Sequence, residues 1–201
     1  MTTIEDVRRR LAGQQPEIIS PGERSRAAVA LVLRQQGPAL DVLLIRRAEA
    51  EQDRWSGHIA FPGGRVDGED TGPRQTAERE TLEEVGLDLR RAEYLGRLDD
   101  LAGGTAAIFV SAFVYAVREA SPLVLSSEVE QAFWLPMARL LEAERHVQRS
   151  YSYRGLEVML PAIRVLEGEG PMLWGLTYRF LEVFLRLAGE ELPPMPWRKG
   201  S

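Results

Sequence analysis

Apolar residues along this chain switch between two spacings. Residues 27–33 and 42–45 are continuous apolar runs of strand length, separated by the turn-forming Gln35-Gln36-Gly37-Pro38, and together they predict a hairpin. Residues 49–57 are polar and without period, which predicts a loop. A short strand over 59–61 is stopped by Pro62-Gly63-Gly64, and a polar Gly/Asp-rich loop runs on to Gly72. Pro73 suits a first helical turn and Gly86 the left-handed position after a helix, so a helix is expected over 73–85. Residues 92–98, 108–117 and 129–134 predict strands. Residues 136–144 predict a helix with Pro136 in its first turn. Residues 151–153 and 156–159 can pair across Gly155. A long amphipathic helix is expected over 173–188, with Leu176, Phe180, Val183, Phe184 and Leu187 as its apolar stripe; core packing explains the stripe, and a dimer surface is the alternative. The irregular order of strands and helices predicts an α/β chain of mixed α+β character, with a mixed parallel/antiparallel sheet covered by helices on both faces.

At 201 residues the chain suits one domain with extensions. The expected division is a lead-in with a short helix (4–11) over 1–22, a single domain over 23–192 and a Pro-rich tail over 193–201. With 44% hydrophobic and 27% charged residues, a folded globular chain is expected. The net charge of −5 argues against a general nucleic-acid binder, because an acidic surface repels phosphodiester backbones. There is no cysteine and only His58 and His146, which excludes thiolate chemistry and a three-histidine zinc centre. Any metal must therefore take oxygen ligands, which points to magnesium, manganese or calcium. Neither a signal peptide nor a membrane-length apolar run is present, so the expected compartment is the cytoplasm.

One helix carries charges that local rules disfavour. Glu80, Glu83 and Glu84 lie at i, i+3 and i+4, so they share a face, with Cβ atoms roughly 5–6 Å apart. Ala77, Thr81, Leu82 and Val85 are expected to pack on the sheet, leaving the three acids projecting outward. The Glu80/Glu84 repulsion costs ~0.2–0.5 kcal/mol. Acids in a last turn oppose the helix dipole at a further ~0.3–1 kcal/mol. No Lys or Arg follows within a turn to compensate. Acid-rich helix faces are usually only solvated; here the glycine-rich loop before the helix and the spacing through to Gly86 favour a site for a hard cation.

The stretch from Gly64 to Leu87 resembles the Nudix box, G-x5-E-x7-R-E-U-x-E-E-x-G-U, where U is bulky and apolar. Arg79, Glu80, Glu83, Glu84, Gly86 and Leu87 match its second half. In the first half Asp70 replaces Glu, eight residues rather than seven separate it from Arg79, and Thr81 stands where a bulky apolar residue is usual. The resemblance implies a Nudix-like α/β/α sandwich and a hydrolase that cleaves a nucleoside diphosphate derivative with Mg2+ (or Mn2+). It implies Glu80, Glu83 and Glu84 as metal ligands with an oxygen from the Gly64 region, Glu83, Glu84 and Arg79 as catalytic residues, and a salt bridge from Arg79 to Asp70 or Glu69. A further acid is expected from a distant loop, with Glu128 and Glu130 as candidates and Asp99 and Asp100 as weaker ones.

Other segments resemble the coenzyme A diphosphatase branch of that family: Leu43-Leu44-Ile45-Arg46-Arg47-Ala48, Gly57, Phe61-Pro62-Gly63-Gly64, Asp67, Asp70 and Trp174-Gly175-Leu176-Thr177. Trp55 stands where that branch has histidine. The branch implies coenzyme A or an acyl-CoA as substrate. Arg46, Arg47, Arg54 and Arg65 are the candidate phosphate partners, and Trp55 a candidate for stacking on a base. Arg46 and Arg47 end a strand, so they alternate faces and one of them should reach the site. Competing expectations are another Nudix substrate (ADP-ribose, a dinucleoside polyphosphate, NADH or a nucleoside triphosphate) and a non-catalytic nucleotide sensor. The intact acids disfavour the sensor, and a calcium-binding module lacks the alternating Asp/Asn loop. The expected partner is a small nucleotide, with neither nucleic acid nor membrane; monomer and homodimer both remain open.

Overall fold

The computed structural model describes residues 2–20, 22, 24–50, 55–103, 108–118, 122–153, 156–168 and 170–194. The first helix, α1 (Ile4–Ala12), is locally well specified. Thr3 and Asp6 form a reciprocal capping box, acids occupy its first turn and Arg9 and Arg10 its last, as the helix dipole favours. Its buried Val7 and Leu11 join the same core as the residues of the last helix.

The predicted hairpin forms from β1 (Ser25–Gln36) and β2 (Ala39–Arg47), with Gly37 in the left-handed region at the turn. The two strands stay paired only from Leu33↔Val42 to Gln36↔Ala39. Beyond that point they separate: β2 takes β3 (Ile59–Ala60) as partner and β1 takes β4 (Gly63–Arg65). The residues of β4 were expected to be loop. Glycine has no side chain to signal a strand, yet here it permits one. A Cβ on Gly63 would sit 2.3 Å from the Ala28 carbonyl oxygen.

From β4 the chain enters α2 (Pro73–Val85), which starts at Pro73 and ends with Gly86 at φ 70°, as its end signals predict. β5 (Glu93–Arg97) and β6 (Leu101–Ala102) follow and pair with one edge of β7 (Ile108–Val117). β7 runs parallel to β1 along its full length, from Ser25↔Ile108 to Arg34↔Val117. β8 (Val129–Pro136) pairs antiparallel with β2. Among the described residues the main sheet has eight strands, a parallel central pair flanked by antiparallel partners. The helix expected over 136–144 does not form. β8 continues through Pro136, which an edge strand tolerates, and two short 3-10 turns follow, anchored by buried Met137 and Leu140.

Side-chain alternation sorts the core into two layers. Ala28, Ala30 and Val32 of β1, with Leu43, Ile45, Phe113 and Tyr115, face Ala77 and Val85 of α2. Leu31, Leu33, Val42, Leu44, Ala112 and Val114 face the opposite way. There they meet α1 and the last helix, α3 (Gly175–Ala188), so the chain is an α/β/α sandwich around a mixed sheet. Phe180 and Phe184 of the predicted α3 stripe are buried. Leu176, Val183 and Leu187 only flank it, and Tyr178, Leu181 and Leu185 fill its centre instead. Before α3 lies a second sheet of β9 (His146–Tyr153), β10 (Leu156–Ile163) and β11 (Leu173–Trp174). β9 and β10 pair from Tyr153↔Leu156, as expected; Gly155, Arg54 and residues 195–201 of the tail lie outside the described residues. Among the described residues no helix is long and apolar enough to cross a membrane.

Candidate active site

The site forms where β4 crosses the C-terminal half of α2. Arg79 organises it. Its Nε and Nη2 donate to the two carboxylate oxygens of Asp70, both at 3.1 Å, and its Nη1 donates to Glu80 at 2.9 Å and Glu83 at 3.0 Å. Asp70 therefore takes the place left open between Asp70 and Glu69. The Asp70 carboxylate also accepts from the Asp67 amide and the buried Thr76 hydroxyl. The Arg79 guanidinium, helped by these donors, holds its pKa down at about 2.

Glu84 departs from expectation. Its outward projection follows from the helix alone, yet its residue is only 2% exposed. β4 covers it, with the Gly63 N–H donating at 2.9 Å, and Arg47 of β2 reaches it at 3.4 Å. The counter-charge absent from the helix is thus supplied by another strand. Burial pushes the Glu84 pKa up to about 7. The Gly63 N–H and Arg47 oppose that rise, while the charges of Glu80 and Glu128 add to it. Glu80 is also raised, chiefly by burial, with Arg79 opposing and Glu83 and Glu128 reinforcing. Glu83 is the exposed member. Leu82, expected on the sheet side, is 40% exposed, whereas Thr81 is fully buried and donates its hydroxyl to the Ala77 carbonyl.

Gly64 faces Glu80 so closely that an added Cβ would lie 2.4 Å from its carboxylate. The glycine leaves open the space above an acid, and three acids (Glu80, Glu84 and Glu128) act on one another there. Such an all-oxygen set, with a backbone able to come close, suits a hard divalent cation. Among the described residues no three acids or histidines are already gathered into a ligand cage. Arg79 and Arg47 hold Glu80, Glu83 and Glu84 in their present directions.

A cleft of about 800 Å³ opens beside these acids. Arg47, Arg65, Trp55 and Glu128 of the sequence candidates line it, along with Gly64 and Glu80. Arg46 does not; it turns the other way, donating to Glu130 at 2.8 Å, which accounts for both residues outside the cleft. The strand alternation that let only one arginine in therefore selects Arg47. Asp99 and Asp100 serve the lead-in: Asp99 accepts from the Glu17 amide, and buried Asp100 accepts from the Ile19 amide and Arg97. His58 lines the cleft and meets Trp174 edge-on at 4.9 Å. The cleft also takes in Val29, Val110 and Phe180, which carry no chemical signal in sequence: β1 and β7 are continuous apolar runs, and nothing in them separates the two valines from the core residues beside them.

The chain is matched by the family model for the NUDIX domain over residues 23–155. It is 45% identical over 111 residues to an uncharacterized protein of Schizosaccharomyces pombe, covering 51% of this chain and 34% of that one. It is 34% identical over 151 residues to the peroxisomal coenzyme A diphosphatase ndx-8 of Caenorhabditis elegans, covering 73% and 63%. The chain thus spans between a third and two-thirds of the length of these relatives. In fold it is similar to the crystal structure of a MutT/nudix family protein from Enterococcus faecalis, with a TM-score of 0.55 at 17% identity, covering 93% of this chain and 70% of that one. The acids of α2 gathered under a glycine strand, and the match across the whole of that region, have one consequence: the chain belongs to the NUDIX-domain family.

Proposed function

We propose that the chain is a divalent-metal-dependent hydrolase that adds water across the diphosphate linkage of a nucleoside diphosphate derivative, with coenzyme A or an acyl-CoA as substrate. The observation that carries this reading is buried Glu84, flanked by Glu80 and Glu128 at the wall of a large cleft that also presents Arg47 and Arg65. Arg47, at 3.4 Å, offsets only part of the cost of burying an acid beside like charges, and the Glu84 pKa stays raised; a divalent cation would offset the rest. The substrate assignment is supported by the likeness to a protein named a coenzyme A diphosphatase and by the Arg47, Phe61-Pro62-Gly63-Gly64 and Trp174-Gly175-Leu176-Thr177 segments around the cleft.

Glu80, Glu83 and Glu84, with the Gly64 carbonyl, would hold Mg2+ or Mn2+. When bound, the ion neutralises phosphate charge and makes water a better nucleophile. Arg79, braced by Asp70, keeps Glu80 and Glu83 in register along α2. Arg47 and Arg65 bind the phosphates, and Trp55, 39% exposed at the cleft, packs on the base. Glu128, which lines the cleft, would accept the proton of the attacking water.

An assay with magnesium over coenzyme A, ADP-ribose, dinucleoside polyphosphates, NADH and nucleoside triphosphates tests the reading, with products identified by mass. Coenzyme A should yield adenosine 3′,5′-bisphosphate and 4′-phosphopantetheine. Cleavage of triphosphates alone would reject the coenzyme A assignment, and no cleavage of any member would favour a nucleotide sensor.

A further inference from the structure

The cleft has a second wall, contributed by α3. Val29 of β1 and Val110 of β7 line it together with Leu176, Thr177 and Phe180 of α3. Trp174 closes it and is already packed by three neighbours: His58 at 4.9 Å, Tyr151 at 5.1 Å, and the Arg149 guanidinium 4.6 Å from the ring centre. Gly175, at φ 68°, makes the turn from β11 that brings Leu176 and Thr177 to the cleft.

We propose that this α3 wall is the specificity subsite for the non-nucleotide half of the substrate, and that it selects a linear, largely aliphatic arm carrying isolated amide groups. The inference rests on the reading that a diphosphate-linked compound is cleaved, and names what the far side of the bond must look like. A sugar presents a hydroxyl on nearly every carbon, and each would lose its water against half-buried Val29 and Leu176, backed by buried Val110 and Phe180, without gaining a partner. A second nucleoside would need a free aromatic face, whereas Trp174 is covered by three side chains. An aliphatic arm buries its methylenes on that wall. One of its amides can meet the Thr177 hydroxyl, which hydrogen-bonds to none of the described residues. Residues 174–180 also lie beyond residue 155, where the match to the family model ends. The matched segment carries the acids, and the chain after it carries this wall. A division between shared chemistry and individual substrate choice follows from that arrangement.

The test uses the full chain and separates binding from turnover. In saturation-transfer NMR on EDTA-treated protein, with coenzyme A, pantetheine and ADP as probes, saturation should reach the geminal methyl and methylene protons of the arm. Leu176→Ser should reduce that signal severalfold while leaving the ADP signal unchanged. Thr177→Val keeps the shape and removes the hydroxyl. It should raise KM for coenzyme A about fivefold, the worth of one hydrogen bond, with kcat within twofold, and Thr177→Ser should restore it. The KM or inhibition constant of ADP-ribose should not move in any of the three, and circular-dichroism melts identify any variant that fails to fold. Saturation confined to adenine and ribose, or equal shifts for coenzyme A and ADP-ribose, would overturn the subsite even if coenzyme A is cleaved. If coenzyme A is not cleaved, the proposed substrate fails. Pantetheine alone then decides the wall: arm saturation that Leu176→Ser removes supports it, and absence of arm saturation in the wild type overturns it.

Discussion

Replacing Asp70 by asparagine perturbs the anchor of the acidic helix without touching an acid proposed to bind metal. The Asp70 side chain is 3% exposed and receives four donors: Arg79 twice, the Thr76 hydroxyl and the Asp67 amide. Asparagine retains the shape but loses the charge that these donors favour. The fall of the carboxyl from 3.8 to about 2 corresponds to about 2 kcal/mol of stability. Because the folded value is depressed, that contribution is fully present above pH 3.8 and is lost as pH falls through about 2. Asp70→Asn should therefore lower unfolding stability at pH 7.5 by about 2 kcal/mol, or roughly 4–8 °C in Tm for a domain of this size. The gap between variant and wild type should close as the pH drops from 4 towards 2. Urea unfolding followed by circular dichroism, at steps across that range, measures both quantities. A difference below about 0.5 kcal/mol at pH 7.5, or a gap of constant size down to pH 2, would refute the assignment of Asp70 as the charged partner of Arg79.

Other consequences are separable. Glu84 has its pKa raised from 4.5 to about 7, so metal-free protein should lose stability as pH rises from 4.5 through 7, by on the order of 3 kcal/mol. Glu84→Gln should abolish that loss and melt higher than wild type at pH 8, while turnover falls at least about a hundredfold; a variant that melts lower at pH 8 would contradict the buried charge. Gly64→Ala places a methyl against the Glu80 carboxylate and should weaken metal binding, read by calorimetry, at least about tenfold. Unchanged metal affinity would show that Glu80 and the Gly64 carbonyl are not ligands. Arg47→Ala, which strips the counter-charge from Glu84, should lower kcat/KM about a hundredfold, whereas Arg46→Ala should stay within about threefold, since Arg46 pairs with Glu130 away from the cleft. Similar losses in the two variants would reverse the assignment of faces.

Much of this protein was determined locally and was therefore readable in one dimension. The 73–85 helix has its start in Pro73 and its stop in Gly86, and β1, β2 and β7 announce themselves by apolar runs. The spacing of Glu80, Glu83 and Glu84 puts them together on any helix, whatever surrounds it, because helical geometry is a property of the backbone. Tertiary structure decided what those acids experience. Glu84 is buried and Leu82 exposed because β4 and Arg47 lie across one side of α2, and strand pairing between residues far apart in sequence put them there. The strand at Gly63–Arg65 was invisible because glycine pairs through its backbone and leaves no side-chain pattern. The helix expected over 136–144 gave way because pairing with β2 extended β8 through Pro136. The α3 wall of the cleft starts about 90 residues after the end of the box, and no short-range rule connects them. Local backbone preference and side-chain period specify elements and the acids they carry; burial, counter-charge and the shape of the cleft come from long-range packing, and only the folded chain decides them.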